Sequence, residues 1–305
     1  MSVRPRDLLL RAGLELVDLI FRTLPEGAAY AVADLLGEAW YRLAPSRRWL
    51  VTAQLARVAE AGGHQVSRGG LRRMVRAAFV AHARYYLEVV RIPRLDEQRI
   101  NEVLAWPDEA AFVELARRGG LIVVSAHFGN FEPAAPWLAS RGIRWIAPIE
   151  RIEPRPLFEY LLSRRGGRSS GGELVVPPDA ARRILRGLRA GALVAIATDR
   201  DLGSPSVTVS MFGHPAEVPS GPATLALLTG APVVVGTVRR TAPGRFAAQM
   251  ERVEWTATGD READIAGLCQ RITDILARHI AEAPEQWWGA FQPVWADLAR
   301  ASRPT

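Results

Sequence analysis

The chain has 305 residues, 49% of them hydrophobic and 23% charged, and this composition excludes an intrinsically disordered protein. Its net charge is +7 and its basic residues are all arginine. This excess of positive charge favours anionic partners: nucleic acid, phospholipid surfaces or phosphorylated substrates. The single cysteine, Cys269, excludes an internal disulfide and zinc sites built on several cysteines, and no apolar run is long enough to predict a transmembrane helix.

Residues 1–118 are predicted to be mostly helical. In the apolar stretch from Leu8 to Leu24, four charged residues recur at intervals of four, three and four, which places them on one stripe of a helix. They are Arg11, Glu15, Asp18 and Arg22. The remaining face is apolar and wide for a surface helix. It indicates either a helix packed within the fold or a helix lying in a membrane interface.

Further helices are expected at about 27–43, 46–60 and 68–90. From residue 119 onward, short apolar runs alternate with helical segments, a pattern typical of crossover units on a largely parallel, buried sheet. Strands are expected at 121–125, 144–149, 174–176, 193–197, 206–211, 232–239 and 246–253. Helices are expected at about 131–140, 155–165, 179–190, from 220 onward, and near 260–282.

The predicted fold class is therefore α/β, with a largely parallel central sheet flanked by helices and a helical N-terminal layer. No repeat, low-complexity tract or linker divides the chain. Residues 1–305 are predicted to form one domain, with the helical layer at 1–118 and the α/β core at 119–297.

Three ionisable residues lie where ligand sites gather in such sheets, beyond the carboxyl ends of strands. His127 follows the strand at 121–125, and Glu132 lies five residues further on. Asp199 follows the strand at 193–197. A neutral imidazole can take a proton from a hydroxyl, and a carboxylate on its other nitrogen fixes the tautomer. Either Glu132 or Asp199 is a candidate for that carboxylate, and helix capping is an alternative role for Glu132.

No side-chain nucleophile is indicated. The one Gly-x-Ser-x-Gly spacing, at residues 167–171, lies between a predicted helix and a predicted strand, which is the reverse of the strand-to-helix order of a nucleophile elbow. Cys269 lies within the predicted closing helix. Two candidate ligands near His127 are too few to predict a metal site. A base that activates the hydroxyl of the substrate itself fits these residues better.

Five segments carry a family resemblance when they are taken in order. They are "SAHFGNFE" (125–132), "IERIEPRPLFEYLLSRRGG" (149–167), "ATDRDL" (197–202), "VTVSMFGHPAEVPSGPATLALLTGAPVV" (207–234) and "PEQWWGAFQPVW" (284–295). Together they resemble the lysophospholipid acyltransferase superfamily, in the branch that holds the lipid A late acyltransferases and the phosphatidylinositol mannoside acyltransferases. The resemblance covers about residues 1–297.

The resemblance implies transfer of a fatty acyl group from an acyl thioester, acyl-CoA or acyl-carrier protein, to a hydroxyl of a membrane glycolipid or phospholipid. The histidine of the family motif falls on His127 and its acid on Glu132. In the mannoside branch, a second acid pairs with the histidine, and that position is Asp199 here. Glutamate is usual there, so the shorter aspartate leaves open which acid orients His127.

The second conserved block of the family has an arginine that matches Arg164, which is a candidate ligand for a substrate phosphate. Arg200 is a second candidate for substrate binding, although its acidic neighbours favour a structural ion pair. Asn130 is a candidate donor to the oxyanion, and Gly129 would allow a close backbone approach. The tryptophans of "PEQWWGAFQPVW" are predicted to pack in the C-terminal segment rather than lie in a membrane interface.

The expected partners are the thioester donor, a membrane lipid acceptor and the membrane surface itself, with no cofactor, no metal and no nucleic acid. The enzyme is expected to lie peripherally on the cytoplasmic face of the plasma (inner) membrane. Two alternatives stay open. One is an acyl thioesterase that uses the same base on water, and the other is a non-catalytic protein that binds anionic lipids.

Overall fold

The predicted α/β class is confirmed. The computed structural model describes residues 5–62, 66–165, 171–200, 203 and 205–301. In these ranges a seven-stranded, mostly parallel sheet is flanked by helices, and a helical layer precedes it in the chain.

The N-terminal layer is mostly helical, as the sequence predicts. Its elements are α1 (Pro5–Thr23), α2 (Glu26–Leu43), α3 (Pro45–Ala61), α4 (Arg68–Arg91), α5 (Glu97–Val103), β1 (Leu104–Ala105) and α6 (Glu109–Arg117). Pro25 directly precedes α2, and Pro45 is the first residue of α3. Proline suits the start of a helix because it lacks the N–H that the first turn leaves unpaired. The short strand β1 and the helices α5 and α6 were not predicted.

The core alternates strands and helices. Its elements are β2 (Ile122–Ser125), α7 (Ala134–Ser140), β3 (Trp145–Pro148), α8 (Arg155–Arg165), β4 (Gly172–Val175), α9 (Ala180–Arg189), β5 (Leu193–Ala197), β6 (Ser206–Met211), β7 (His214–Pro219), α10 (Gly221–Thr229), β8 (Val233–Ala242), β9 (Arg245–Arg252), α11 (Arg261–Glu282) and α12 (Ala296–Ala301).

Strand β7 was missed by the sequence prediction. It pairs with β6 in a separate two-stranded antiparallel hairpin. The turn uses positive φ at Phe212 and Gly213 (52° and 77°), the geometry of a two-residue hairpin turn. A phenylalanine in the first turn position is unusual for that geometry, so the residues of the turn gave little indication of it.

Strand β2 lies at the centre of the seven-stranded sheet, whose order is β1-β9-β8-β2-β5-β3-β4. It runs parallel to β5 on one side and to β8 on the other, and only the β8–β9 pair is antiparallel. Ile122 and Val124 are fully buried. Val123 points to the opposite face, where it is partly buried and packs against a second hydrophobic cluster. Apolar contacts on both faces explain why β2 reads as a continuous apolar run.

The C-terminal segment packs into the core. Trp287 and Trp295 are 0% and 1% exposed, which confirms packing rather than an interfacial role for these two tryptophans. Gln54 of α3 holds the segment, accepting from the Val294 N–H at 2.9 Å and donating to the Gln292 carbonyl at 2.7 Å. Helix α3 and the core are thereby joined across more than 200 residues of sequence.

Candidate active site

The register of two central strands brings His127 and Asp199 together. In the parallel β2–β5 pair, Ser125 lies opposite Ala197, and the Thr198 N–H donates to the Ser125 carbonyl at 3.0 Å. His127 and Asp199 each follow two residues after those paired positions. Residues at equal distances beyond the ends of in-register parallel strands lie side by side.

Asp199, and not Glu132, is the acid that contacts the imidazole of His127. Its Oδ1 lies 2.7 Å from His127 Nδ1 and accepts the His127 backbone N–H at 2.9 Å. Its Oδ2 accepts the Trp287 indole N–H at 2.8 Å. With Nδ1 fixed by Asp199, the other ring nitrogen of His127, Nε2, is the one left for proton transfer.

The Asp199 carboxylate is completely buried, and burial alone would raise its pKa. The charge of His127 and the hydrogen bonds from His127 and Trp287 outweigh burial and hold the Asp199 pKa below its usual value. The acid is therefore ionised at neutral pH, the state that stabilises an imidazolium on His127.

The C-terminal segment closes over the histidine loop. Phe128 and Trp287 form an antiparallel bridge, and the Gly289 N–H donates to the His127 carbonyl at 2.8 Å. A Cβ on Gly289 would collide with Asp199 Oδ2, so only glycine fits at that position. Neither Trp287 nor Gly289 was a predicted site residue.

Glu132 belongs to a different set of contacts. Its carboxylate is nearly buried and accepts a hydrogen bond from the Tyr85 hydroxyl of α4 at 3.2 Å. The prediction that it lies in the first turn of the following helix is wrong. Helix α7 begins at Ala134, and the Glu132 N–H is held by the Asn130 side chain at 2.9 Å in the preceding turn. Its catalytic role stays a prediction.

Asn130 and Gly129 fix the loop against the fold. Asn130 is fully buried, and its amide donates to Glu88 at 2.6 Å while its N–H donates to the Val238 carbonyl at 2.7 Å. Gly129 has φ of 58°, and a Cβ there would collide with the Val238 carbonyl. The close backbone approach predicted for Gly129 therefore involves β8. The oxyanion role of Asn130 stays a prediction, and its amide already serves Glu88.

Glu88 is a second buried carboxylate behind the site. Besides Asn130 it binds Tyr30, whose hydroxyl donates at 2.8 Å, and Arg240, whose Nη2 lies 2.7 Å from Oε2. Burial and the nearby Glu88 charge raise the pKa of Tyr30. Four charged or polar side chains from separate elements thus pair with one another, which offsets the cost of burying the ion pair.

Aromatic rings form the wall beside His127. The Trp288 ring lies edge to face with His127 at 4.6 Å between centroids and is stacked on Tyr85, also at 4.6 Å. His82 of α4 lies 5.8 Å from Trp288 and stacks on Tyr86. Sequence reasoning missed these residues, because aromatic side chains at helical spacing are also the pattern of an ordinary core.

Arg200 and Arg164 are the two arginines predicted to bind substrate. Arg200 pairs with Glu150, which follows β3, at 3.0 Å, in agreement with the structural ion pair favoured by its sequence context. Arg164 lies in the last turn of α8, and its side chain is outside the described residues. Phosphate binding by either one stays a prediction.

Comparison with known proteins decides the family. A family described as bacterial lipid A biosynthesis acyltransferase matches residues 11–295 of this chain. The chain belongs to that family. The predicted recognition and the prediction of an O-acyltransferase enzyme are both confirmed.

Curated relatives point to one branch of it. A phosphatidylinositol mannoside acyltransferase of Mycobacterium tuberculosis is 28% identical over 237 residues, which cover 74% of this chain and 72% of the relative. The protein of the same name from Mycolicibacterium smegmatis is also 28% identical, with 75% of each chain covered.

The geometry suits base-assisted acyl transfer. A histidine oriented by a buried, ionised carboxylate can remove a proton from a hydroxyl at Nε2, a contribution of about 10²–10⁴ in rate. Cys269 is buried within α11, and burial raises the pKa of its thiol to about 11, so it is not an activated nucleophile.

Replacing Asp199 with asparagine is expected to lower kcat by about 10²-fold or more, since an amide no longer fixes the tautomer or stabilises the imidazolium. The measurement is steady-state acyl transfer with Glu132→Gln as the matched control. The glutamine side chain keeps an oxygen that can accept the hydrogen bond from the Tyr85 hydroxyl, and the kcat of this variant is expected to fall less. An equal or larger loss in Glu132→Gln would show that Asp199 is not the principal orienting acid.

His82 generates a pH dependence of stability. Burial, together with the charges of Arg47 and His127, lowers its pKa to about 3. In the unfolded chain the group titrates near its ordinary value, so the unfolded state binds an extra proton between about pH 6.5 and 3. The free energy of unfolding should therefore fall as pH falls through that window, by roughly 4–5 kcal/mol at most.

Urea unfolding of wild type and His82→Phe between pH 7 and 4 tests this effect. Phenylalanine keeps a ring among Tyr86, Phe291 and Trp288 but carries no titrating group. On acidification, the free energy of unfolding of the variant is expected to fall less steeply than that of wild type. The difference in slope is about 1.4 kcal/mol per pH unit, the value for one bound proton. Parallel curves for the two proteins would contradict the depressed pKa.

Proposed function

We propose that this acyltransferase moves a fatty acyl group from an acyl thioester, either acyl-CoA or acyl-carrier protein, to a hydroxyl of a membrane glycolipid or lysophospholipid. The single observation that carries the proposal is the buried Asp199 carboxylate, 2.7 Å from Nδ1 of His127, at the ends of two central strands. A base of this kind can activate an acceptor that brings its own hydroxyl, as a glycolipid does.

The reaction follows from that pair. His127 Nε2 removes the proton from the acceptor hydroxyl as its oxygen attacks the carbonyl carbon of the thioester. The new C–O bond forms, and the C–S bond breaks as the tetrahedral intermediate collapses. The imidazolium, stabilised by Asp199, returns the proton to the leaving thiolate. An ester and a free thiol result.

The acceptor is proposed to resemble a phosphatidylinositol mannoside or lipid A. Two curated relatives, 28% identical over about three quarters of this chain, are named phosphatidylinositol mannoside acyltransferase. The description of the matching family, bacterial lipid A biosynthesis acyltransferase, supports lipid A as the other acceptor class.

We also propose that the enzyme binds the membrane surface through α1. Leu9 is 75% exposed and Leu16 57% exposed, whereas Asp18 is buried and accepts a hydrogen bond from Tyr160 of α8 at 3.0 Å. Asp18 thus faces the protein, whereas six large apolar residues of α1 face outward together with the exposed Arg11, Glu15 and Arg22. An exposed apolar stripe of this kind is the feature of an interfacial helix.

The apolar surface extends beyond α1. Ten of the thirteen large apolar side chains that are exposed in the described ranges lie between residues 8 and 49, among them Leu35, Leu43 and Trp49. No helix in these ranges is long and apolar enough to cross a bilayer. We propose peripheral binding at the cytoplasmic face of the inner membrane, since the net charge of +7 suits an anionic leaflet.

The first experiment measures thiol release from palmitoyl-CoA, and from palmitoyl-acyl-carrier protein, with and without a panel of glycolipid and lysophospholipid acceptors. Wild type is expected to release thiol only with an acceptor present, and His127→Ala to lose at least about 10²-fold in rate because the base is gone. His214→Ala is the matched control, since His214 lies in β7, and it should keep wild-type activity.

Two outcomes would overturn the proposal. Release without any acceptor would favour the thioesterase, in which water takes the place of the lipid hydroxyl. Absence of release from both donors, with anionic lipid still bound, would favour the non-catalytic lipid binder.

Membrane binding is tested separately with liposomes of anionic composition at low salt. The double variant Leu9→Asp, Leu16→Asp is expected to weaken co-sedimentation by about tenfold or more, since two leucines no longer enter the apolar layer. Leu228→Asp is the matched control, because Leu228 is 51% exposed but lies on α10. Equal binding by the two variants would exclude α1 as the membrane-binding surface.

A further inference from the structure

Two ring nitrogens in the aromatic wall are buried without a hydrogen-bond partner among the described residues. They are Nδ1 of His82 and Nε1 of Trp288. An unpaired buried polar atom costs about 1–3 kcal/mol, and a catalytic role is one of the reasons for which a native protein keeps such an atom. Trp288 is the one whose ring touches His127, at 4.6 Å between centroids.

The reaction needs a donor at this place. When the acceptor oxygen attacks the thioester, negative charge builds on the carbonyl oxygen close to His127, and a positioned N–H lowers that barrier. The donor must be uncommitted in the free enzyme and must keep its position when the substrate arrives.

Most donors of the histidine loop are already committed. The His127 N–H donates to Asp199, the Gly129 N–H to the Gln286 carbonyl at 2.9 Å, and the Asn130 N–H to the Val238 carbonyl. The Asn130 amide donates to Glu88, and the Gly289 N–H donates to the His127 carbonyl. These groups hold the loop in place.

Trp288 is held firmly enough to act as a donor. Its ring is stacked on Tyr85 at 25° between planes, and Phe131 lies 5.9 Å away on the same wall. Its neighbours in sequence are also fixed, since the Trp287 indole is bonded to Asp199 and Gly289 fits only as glycine. An indole in such a setting has little freedom to turn away from the substrate.

We propose that the indole N–H of Trp288 donates a hydrogen bond to the carbonyl oxygen of the acyl thioester and stabilises the oxyanion. This inference rests on the proposed acyl transfer. As the C–O bond forms, the carbonyl electron pair moves onto oxygen and is held by Trp288 Nε1. The pair returns as the C–S bond breaks, and the thiolate takes its proton from His127.

The test removes the N–H and keeps the ring. Benzothienylalanine at position 288 places sulfur where the indole has N–H, and Trp288→Phe is a second, encoded variant. With the acyl thioester that wild type turns over, both variants are expected to lose about 10²-fold in kcat with little change in the KM for that thioester. A loss of this size is typical when one hydrogen-bond donor to an oxyanion is removed.

Another tryptophan is a matched control. Trp106 also has a buried Nε1 without a hydrogen-bond partner among the described residues, but it packs in a different cluster with Phe112. Trp106→Phe is expected to keep wild-type kcat while changing only the thermal unfolding temperature. Loss of kcat in this control equal to that in the position-288 variants would overturn the proposal.

A binding measurement separates this inference from the proposed function. An S-(2-oxoheptadecyl) ketone analogue of the donor keeps a carbonyl, and an S-hexadecyl thioether lacks it, both prepared on CoA and on acyl-carrier protein. Wild type is expected to bind the ketone more tightly, and the position-288 variants to bind both alike.

The outcomes are distinct. If wild type transfers acyl groups but the benzothienylalanine variant keeps full kcat, the donor role of Trp288 is overturned and acyl transfer stands. If wild type transfers nothing, the proposed function fails by itself. If wild type binds the two analogues equally, no N–H holds the carbonyl and the inference fails as well.

Discussion

The fully buried carboxylate of Asp199 is the constraint on which the site depends. A charge removed from water is tolerable only if hydrogen bonds replace its hydration, and here the His127 ring, the His127 backbone and the Trp287 indole do so. These donors come from the end of β2 and from the segment after α11, while the carboxylate itself follows β5. The placement of the imidazole therefore depends on three separate parts of the chain at once, and a displacement of any of them leaves a buried charge uncompensated.

A second buried carboxylate supports the same loop from behind. Glu88 binds the Asn130 amide and pairs with Arg240, while Asp199 binds the loop at His127. Residues 127–130 are thus held between two acids, one on α4 and one after β5. A loop fixed at both ends presents Nε2 of His127 in one orientation, the preorganisation that proton transfer requires. The network also explains why Asn130 is fully buried although its residue type is usually found at the surface.

The parts of the fold and site that follow from local periodicity could be predicted. Alternating strands and helices place His127 and Asp199 at adjacent strand ends, because parallel pairing repeats regularly and ligand sites gather at one edge of the sheet. The choice between Asp199 and Glu132 depends on side-chain direction beyond those ends, which periodicity does not determine. Trp287 binds a residue 88 positions away and reads as core in the sequence. The start of α7 was misplaced because the Asn130 side chain holds the Glu132 N–H in a turn.

Helix α4 connects the apolar surface to the chemistry. One of its faces supplies His82 and Tyr85 to the wall beside His127, and at its end Arg91 donates to the Phe21 carbonyl of α1 at 2.8 Å. Helix α8, which follows the end of β3, also holds α1 through Tyr160 and Asp18. Helix α1 is therefore anchored both to the helix that lines the wall beside His127 and to the helix that follows β3. With α1 at the membrane surface, as proposed, a lipid acceptor would keep its acyl chains in the membrane during the reaction, which avoids the cost of extracting them into water, about 0.8 kcal/mol per CH₂.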